Sequence, residues 1–169
     1  TFLPANFGFS DLSDSPANNF QAVVITTLPT NGTLTLAAGA SAPGAVVAGQ
    51  SISLADIPFL TYMPDLNVHG AAADGFTFQV QDDDGTLNSG QDTDQTPNIV
   101  TIDITQVNDA PDGADTTVTT LEDTDYIFTA GDFGFSDLSD NPADSLLGVY
   151  IDTLPALGTL TLGAASSAP

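Results

Sequence analysis

The sequence predicts an all-β protein made of repeated antiparallel β-sandwiches. Apolar residues alternate with polar ones over short segments, and no segment keeps a helical 3.6-residue period over three turns. Turn-forming residues separate these segments at short intervals. In addition, the eight residues "FGFSDLSD" occur at 7–14 and again at 133–140. Alternation and turns predict a sandwich, and the recurrence predicts that the sandwich is repeated.

The internal repeat extends well beyond these eight residues. Residues 1–43 align with 127–169 without a gap, and about 25 of the 43 aligned positions are identical. The period is therefore 126 residues, which is long enough for a domain with its own core. The stretch "VNDAPDG" at 107–113 predicts a boundary near Pro111.

This boundary predicts two incomplete domains. Residues 1–110 form a repeat that lacks its first strand, and 111–169 form the N-terminal half of the next repeat. We expect 112–126 to supply the first strand of the second sandwich, and an equivalent segment from elsewhere to complete the first. Because an unfinished sandwich exposes strand edges, the chain is either a slice of a longer tandem array or a subunit that exchanges strands with its neighbours.

The individual strands are predicted from the alternation, in chain order. The predicted strands are 23–27, 34–36, 50–54, 59–62, 76–80, 100–104, 116–121 and 160–162. The turn signals between them are "TNGT" at 30–33, "SAPG" at 41–44, "DDDG" at 82–85 and "NDAPDG" at 108–113. Since the copies share their apolar alternation, we expect 7–36 and 133–162 to superpose as strands and turns.

The charge balance excludes several classes of function. The chain has 22 acidic side chains, no Lys or Arg and one His, which gives a formal net charge of −22. Binding to nucleic acid or to an anionic membrane needs cationic side chains, as does most phosphate chemistry. The absence of Cys excludes disulfides and thiolate metal sites. The carboxylates therefore need a cation from outside the chain, and Ca²⁺ suits carboxylate and carbonyl oxygens.

Two polar stretches offer oxygen ligands on short loops, "NDAPDG" and "FSDLSDNPAD". The alternative is an Asx turn followed by a solvated acidic loop. A further acidic segment, 81–95, is predicted to be a solvated hairpin loop, with Asp82, Asp84 and Asp92 as alternative metal ligands. His69 is predicted to be a loop residue without a catalytic role. A pair of carboxylates can catalyse glycoside hydrolysis, but among 22 acids some pairs lie close by chance, so such a pair is no evidence of catalysis. We therefore expect no enzyme activity.

Four motifs resemble cadherin-like tandem repeats of large bacterial surface proteins. They are "TIDITQVNDAP", "TLEDTDYIF", "LPTNGTLTL" and "YMPDLNVHGAAADGFTFQVQDDDG". VCBS-type repeats of giant adhesins belong to this group, and chondroitin-sulfate-proteoglycan-type repeats are similar to it. The resemblance implies a Greek-key sandwich of the cadherin or immunoglobulin kind, end-to-end stacking, an extracellular or cell-surface location, and Ca²⁺ near the domain junctions.

The resemblance also implies a set of metal ligands, drawn from the linker, from a loop at the same end of the sandwich, from the opening of the domain and from an acidic pair early in the second copy. These residues are Asp65, Asn108, Asp109, Glu122, Asp137 and Asp140. The acidic pair recurs in the first copy as Asp11 and Asp14. The linker "QVNDAPDG" lacks an Asp and an Asn that the full cadherin pattern carries, which implies one or two ions per junction.

These expectations combine into one functional hypothesis, a structural extender or fibre-forming repeat of an extracellular adhesin-like protein. Its expected partners are neighbouring repeats or identical subunits, end to end, and a cell-surface or matrix ligand bound outside this segment. Two alternatives remain open. One is a carbohydrate-binding module, which three Tyr and no Trp do not favour. The other is a non-catalytic domain appended to a secreted enzyme.

Overall fold

The computed structural model of the protein describes residues 1–163. The chain divides into two compact units, Thr1–Val107 and Asn108–Pro169. The end of the predicted second repeat, 164–169, lies outside the described residues.

The first unit contains the seven strands of the described chain. They are β1 (Phe20–Thr27), β2 (Gly32–Leu36), β3 (Gly44–Ala45), β4 (Ser51–Ser53), β5 (Leu60–Pro64), β6 (Gly70–Asp82) and β7 (Asn98–Ile104). Short 3₁₀ helices occupy Pro4–Phe7, Ile57–Phe59 and Leu87–Ser89. The predicted strands of this unit are confirmed, and only the two-residue β3 was missed.

The strands form two antiparallel sheets, which confirms the all-β class. The four-stranded sheet has the order β4-β1-β6-β7, and the three-stranded sheet has the order β3-β2-β5. In the first sheet Val23 lies opposite Val80, and in the second Leu34 lies opposite Tyr62. The Greek-key connection and the stacking of repeats stay predictions.

The apolar faces of both sheets share one core. Val23, Ile25 and Phe76 of the larger sheet and Leu34 and Leu60 of the smaller sheet are at most 1% exposed. Their period-two spacing directs every second side chain of each strand to the same face. Full burial of side chains of this size contributes about 1.5–3 kcal/mol each to the free energy of unfolding, so this core stabilises the fold of the first unit.

The turn between β1 and β2 fastens the two sheets together. The backbone N–H groups of Thr30 and Asn31 donate to the carboxylate of Asp74 on β6, each over 3.0 Å. The hydroxyl of Tyr62 on β5 donates to the same carboxylate over 2.8 Å. One side chain of the larger sheet thus holds both the turn into the smaller sheet and its edge strand.

The second unit has a different secondary structure. Its described residues contain one 3₁₀ helix, Ala130–Phe133, and an isolated bridge between Asp112 and Ser136. The predictions of strands at 116–121 and 160–162 are wrong for this structure, as is the expectation that 112–126 supplies a strand. The described residues of the second unit contain no strand that could pair with the copies of β1 and β2, and an unpaired strand leaves its backbone groups without ladder partners.

The two copies do agree over their first eighteen residues. The 3₁₀ helices at Pro4–Phe7 and Ala130–Phe133 occupy equivalent positions. Each ends at a glycine in the left-handed region, Gly8 at φ 57° and Gly134 at φ 55°. A cis X-Pro bond follows in both, at Pro16 and at Pro142. Local sequence therefore determines this opening loop, whereas the strands that follow it depend on distant partners.

Candidate metal centre

The acidic loop of the second unit follows directly after this left-handed glycine. Three of its carboxylates, from Asp137, Asp140 and Asp144, offer oxygens that all lie within 4.8 Å of one another. Two oxygens bound to one Ca²⁺ at about 2.3–2.6 Å can be at most about 5 Å apart, so the spacing fits a shared ion. These three aspartates could hold a metal ion.

Two of the three carboxylates are removed from solvent. Asp137 is 5% exposed and Asp140 is 8% exposed, whereas Asp144 is exposed. Burial penalises an ionised carboxylate unless hydrogen bonds or a counterion compensate it. Since the sequence contains no Lys or Arg, no such side chain of the chain can provide that compensation.

Asp137 shows the deficit most directly. Its Oδ2 accepts the backbone N–H of Asp144 over 2.6 Å. Its Oδ1 is buried and accepts no hydrogen bond from any of the residues that the structure describes. A buried carboxylate oxygen without a donor is costly, and a cation bound to it would remove that cost.

The linker contacts the same loop from within the second unit. The backbone N–H of Asp109 donates to both carboxylate oxygens of Asp140, over 3.3 and 3.2 Å. Asp112 and Ser136 exchange two backbone hydrogen bonds of 2.8 and 2.9 Å. A Cβ added to Gly134 would lie 2.7 Å from the Cβ of Ala114, so glycine permits this close approach as well as the positive φ. The linker thereby covers the acidic loop.

The sequence-predicted ligands are distributed unevenly around this centre. Asp137 and Asp140 belong to the three-carboxylate cluster, and Asp109 reaches Asp140 through its backbone N–H. Asn108 is exposed, and its side-chain amide donates to the carbonyl of Asp109 over 2.9 Å. Glu122 is exposed beside a turn of the second unit, outside the cluster.

Asp65 belongs to the first unit. It is exposed, and its backbone N–H donates to the carbonyl of Asn31 over 2.9 Å. Asp144 ends the stretch "FSDLSDNPAD" that was predicted to offer oxygen ligands, but it was not among the individual ligands that the resemblance implies. The signal that could have found it is its copy in the first unit, where the position carries another oxygen-bearing residue, Asn18.

The first copy of the loop is built differently at its carboxylates. Asp11 is half-buried and accepts the backbone N–H of Asn18 over 2.7 Å, which parallels the Asp144–Asp137 bond. Asp14 is exposed and accepts the side-chain amide of Asn18 over 3.2 Å. The carboxylate of Asp144 in the second copy is thus replaced in the first copy by the side-chain amide of Asn18, which donates to Asp14.

Other buried carboxylates are compensated by protein donors. Asp56 accepts bonds from the hydroxyl and backbone N–H of Ser41 and from the hydroxyl of Ser53, which lower its pKa. Burial raises the pKa of Asp74, but donors from Thr30, Gly75, Tyr62 and Asn31 outweigh burial and leave it lowered. Among the buried carboxylates described here, Asp137 stands apart in having a buried oxygen without a donor.

In the segment 81–95, which leads from β6 to β7, the carboxylates accept hydrogen bonds from within the same segment. Asp92 accepts the Gln81 amide over 3.0 Å and the Thr93 hydroxyl over 3.0 Å, and these bonds lower its pKa. The backbone N–H of Asp84 donates to Asp82 over 3.0 Å. The Nδ1 atom of His69 lies 3.1 Å from the backbone carbonyl oxygen of Asn67, at hydrogen-bonding distance. The described residues form their single cluster of potential metal ligands elsewhere, in the second unit.

No model of a known protein family, no curated protein and no solved structure gave a significant match to the chain. The resemblance to cadherin-like repeats therefore stays a prediction. Within residues 1–163, no helix has the length and apolar character needed to cross a membrane.

Proposed function

We propose that the chain is a non-catalytic structural repeat of an extracellular adhesin-like protein, stiffened by Ca²⁺ bound at Asp137, Asp140 and Asp144. The observation that carries this proposal is the buried Oδ1 of Asp137, which lacks a donor and belongs to a carboxylate that shares a cluster with two others. The long internal repeat supports a role in which the same unit is used more than once.

The donor set favours Ca²⁺ over Mg²⁺. Three carboxylates converge within 4.8 Å, and Ca²⁺ accepts six to eight oxygens in flexible geometry, including bidentate carboxylates. Mg²⁺ keeps several of its waters and is usually held by only one or two carboxylates. Water and backbone carbonyls would complete the shell around Ca²⁺.

The mechanical consequence follows from the linker contact. Asp109 holds Asp140 through its backbone N–H, and residue 108 begins the second unit immediately after Val107. An ion that fixes Asp140 would also fix the point at which the chain enters the second unit. The ion would thereby make the opening of the second unit more rigid, which is what an extender or fibre module requires.

Calcium titration of the whole chain tests the proposal. We expect Ca²⁺ to bind by isothermal titration calorimetry and to raise the melting temperature, because an ion that binds only the folded state stabilises it by about 2.7 kcal/mol at a hundredfold excess over Kd. Asp137→Ala and Asp140→Ala should each abolish this shift.

Asp92→Ala is the matched control, because Asp92 is an acid of the first unit with protein donors. This variant should keep the full response to Ca²⁺. A melting curve that neither Ca²⁺ nor a chelator moves, together with no binding heat, would rule out the metal-stiffened repeat.

A further inference from the structure

The two copies of the acidic loop differ at a single position of their carboxylate cluster. The main-chain geometry is conserved between them, since the backbone N–H of residue 18 binds Asp11 and that of residue 144 binds Asp137, over 2.7 and 2.6 Å. The side chain at this position is an amide in the first copy and a carboxylate in the second.

We propose that the residue at this position determines which copy of the loop binds a divalent cation. Asp144 makes the second loop a three-carboxylate site that needs the ion. Asn18 leaves the first loop with two carboxylates, and its side-chain amide donates a hydrogen bond to one of them, that of Asp14. This inference rests on the proposed Ca²⁺ function. It adds that the residue at this position determines whether a given repeat binds the ion.

Charge count supports this assignment. Ca²⁺ affinity in oxygen sites is tuned over several orders of magnitude by the number of ligand charges and by site rigidity. Asp144 adds a third negative oxygen within 4.8 Å of the others. The amide of Asn18 instead donates to Oδ2 of Asp14 over 3.2 Å and places its polar hydrogens beside the carboxylate that an ion would need.

Burial supports it independently. Asp137 is 5% exposed and has an Oδ1 without a donor, which points to a missing ligand in the second copy.

The test compares the full chain with Asp144→Asn, Asn18→Asp and the control Asp115→Asn, an exposed acid of the second unit outside the cluster. Ca²⁺ alone is the probe. Calorimetry gives affinity and stoichiometry, and the amide resonances of Gly8 and Gly134 report separately on the first and second loops. Asp144→Asn keeps the backbone N–H that binds Asp137, so the loop should stay folded.

We expect one ion per wild-type chain, with shifts at Gly134 and not at Gly8. Asp144→Asn should weaken binding about tenfold or more, Asn18→Asp should add a second binding event with shifts at Gly8, and Asp115→Asn should change neither. Equal affinity at both loops of the wild type, an unchanged Kd in Asp144→Asn, or no gain in Asn18→Asp overturns this inference and leaves the Ca²⁺ function intact. Absence of Ca²⁺ binding in every variant overturns both.

Discussion

At the scale of single residues, the buried aspartates differ in the groups that compensate their negative charge. Asp74 receives four protein donors, from three backbone N–H groups and one hydroxyl. Asp137 receives one backbone donor on Oδ2 and none on its buried Oδ1. The first carboxylate is compensated entirely by the protein, whereas the second belongs to a cluster that could hold a metal ion. Burial raises the pKa of Tyr62 to about 12, and the hydrogen bond to Asp74 adds to this increase.

Asp74→Asn should destabilise the first unit at neutral pH by about 1–3 kcal/mol, because an amide cannot accept all four bonds and leaves part-buried donors unpaired. The loss should appear as a lower midpoint of urea unfolding. Asp65→Asn, a change to an exposed acid in the same unit, should leave the midpoint unchanged.

The Asp74 contribution should depend on pH in a definite direction. Its folded-state pKa lies below the ordinary value of 3.8, so its stabilising effect is present above that value and is lost as pH falls through the folded pKa. The difference in stability between wild type and Asp74→Asn should therefore be constant near neutral pH and should shrink below about pH 3.8. A difference that grows in acid would contradict this linkage.

At the scale of elements, strand pairing in the smaller sheet depends on close approach at the start of β2. Gly32 lies opposite Pro64 on β5. A Cβ added there would lie 2.5 Å from the ring of Tyr62 and 2.6 Å from the carbonyl oxygen of Met63. Tyr62 can rotate, but the carbonyl belongs to the β5 backbone and can move only if the strand moves.

Gly32→Ala should therefore destabilise the first unit by about 1–3 kcal/mol, the usual cost of overpacking. Urea unfolding measures the loss, and hydrogen exchange should show faster opening of the β2–β5 ladder than of the β1–β6 ladder. Gly148→Ala is the control, since an added Cβ there meets no atom within 4 Å. Equal stability of the two variants would show that β5 adapts without cost.

At the scale of the whole molecule, charge is the dominant feature. A net charge of −22 without Lys or Arg means that repulsion acts across the entire folded chain. The core of the first unit has to stabilise the fold against this repulsion. Dissolved cations are the available source of screening, both as an atmosphere and as ions bound at defined sites.

Monovalent salt should raise the melting temperature of the chain by a few degrees between low ionic strength and about 0.5 M, because screening weakens the repulsion more in the compact state. Calorimetric melting over a NaCl series measures the effect. At constant ionic strength, Ca²⁺ should add a further increase that Asp137→Ala removes. A melting temperature that falls with NaCl would exclude self-repulsion as a limit on stability.

The sequence by itself determined the all-β class and the six longer strands of the first unit, and it named two of the three aspartates that lie together in the acidic loop, Asp137 and Asp140. These features are local, since alternation assigns side chains to faces, and in both copies a 3₁₀ helix ends at the first Phe of "FGFSDLSD" and is followed by a glycine in the left-handed region. Only the tertiary structure decided that Asp144 joins Asp137 and Asp140, that Asp74 links the two sheets, and that the copies of β1 and β2 in the second unit do not form strands. Each of these outcomes depends on groups far apart in sequence or on the exact path of a loop, because a strand needs a distant partner and a metal site needs oxygens that converge within about 5 Å.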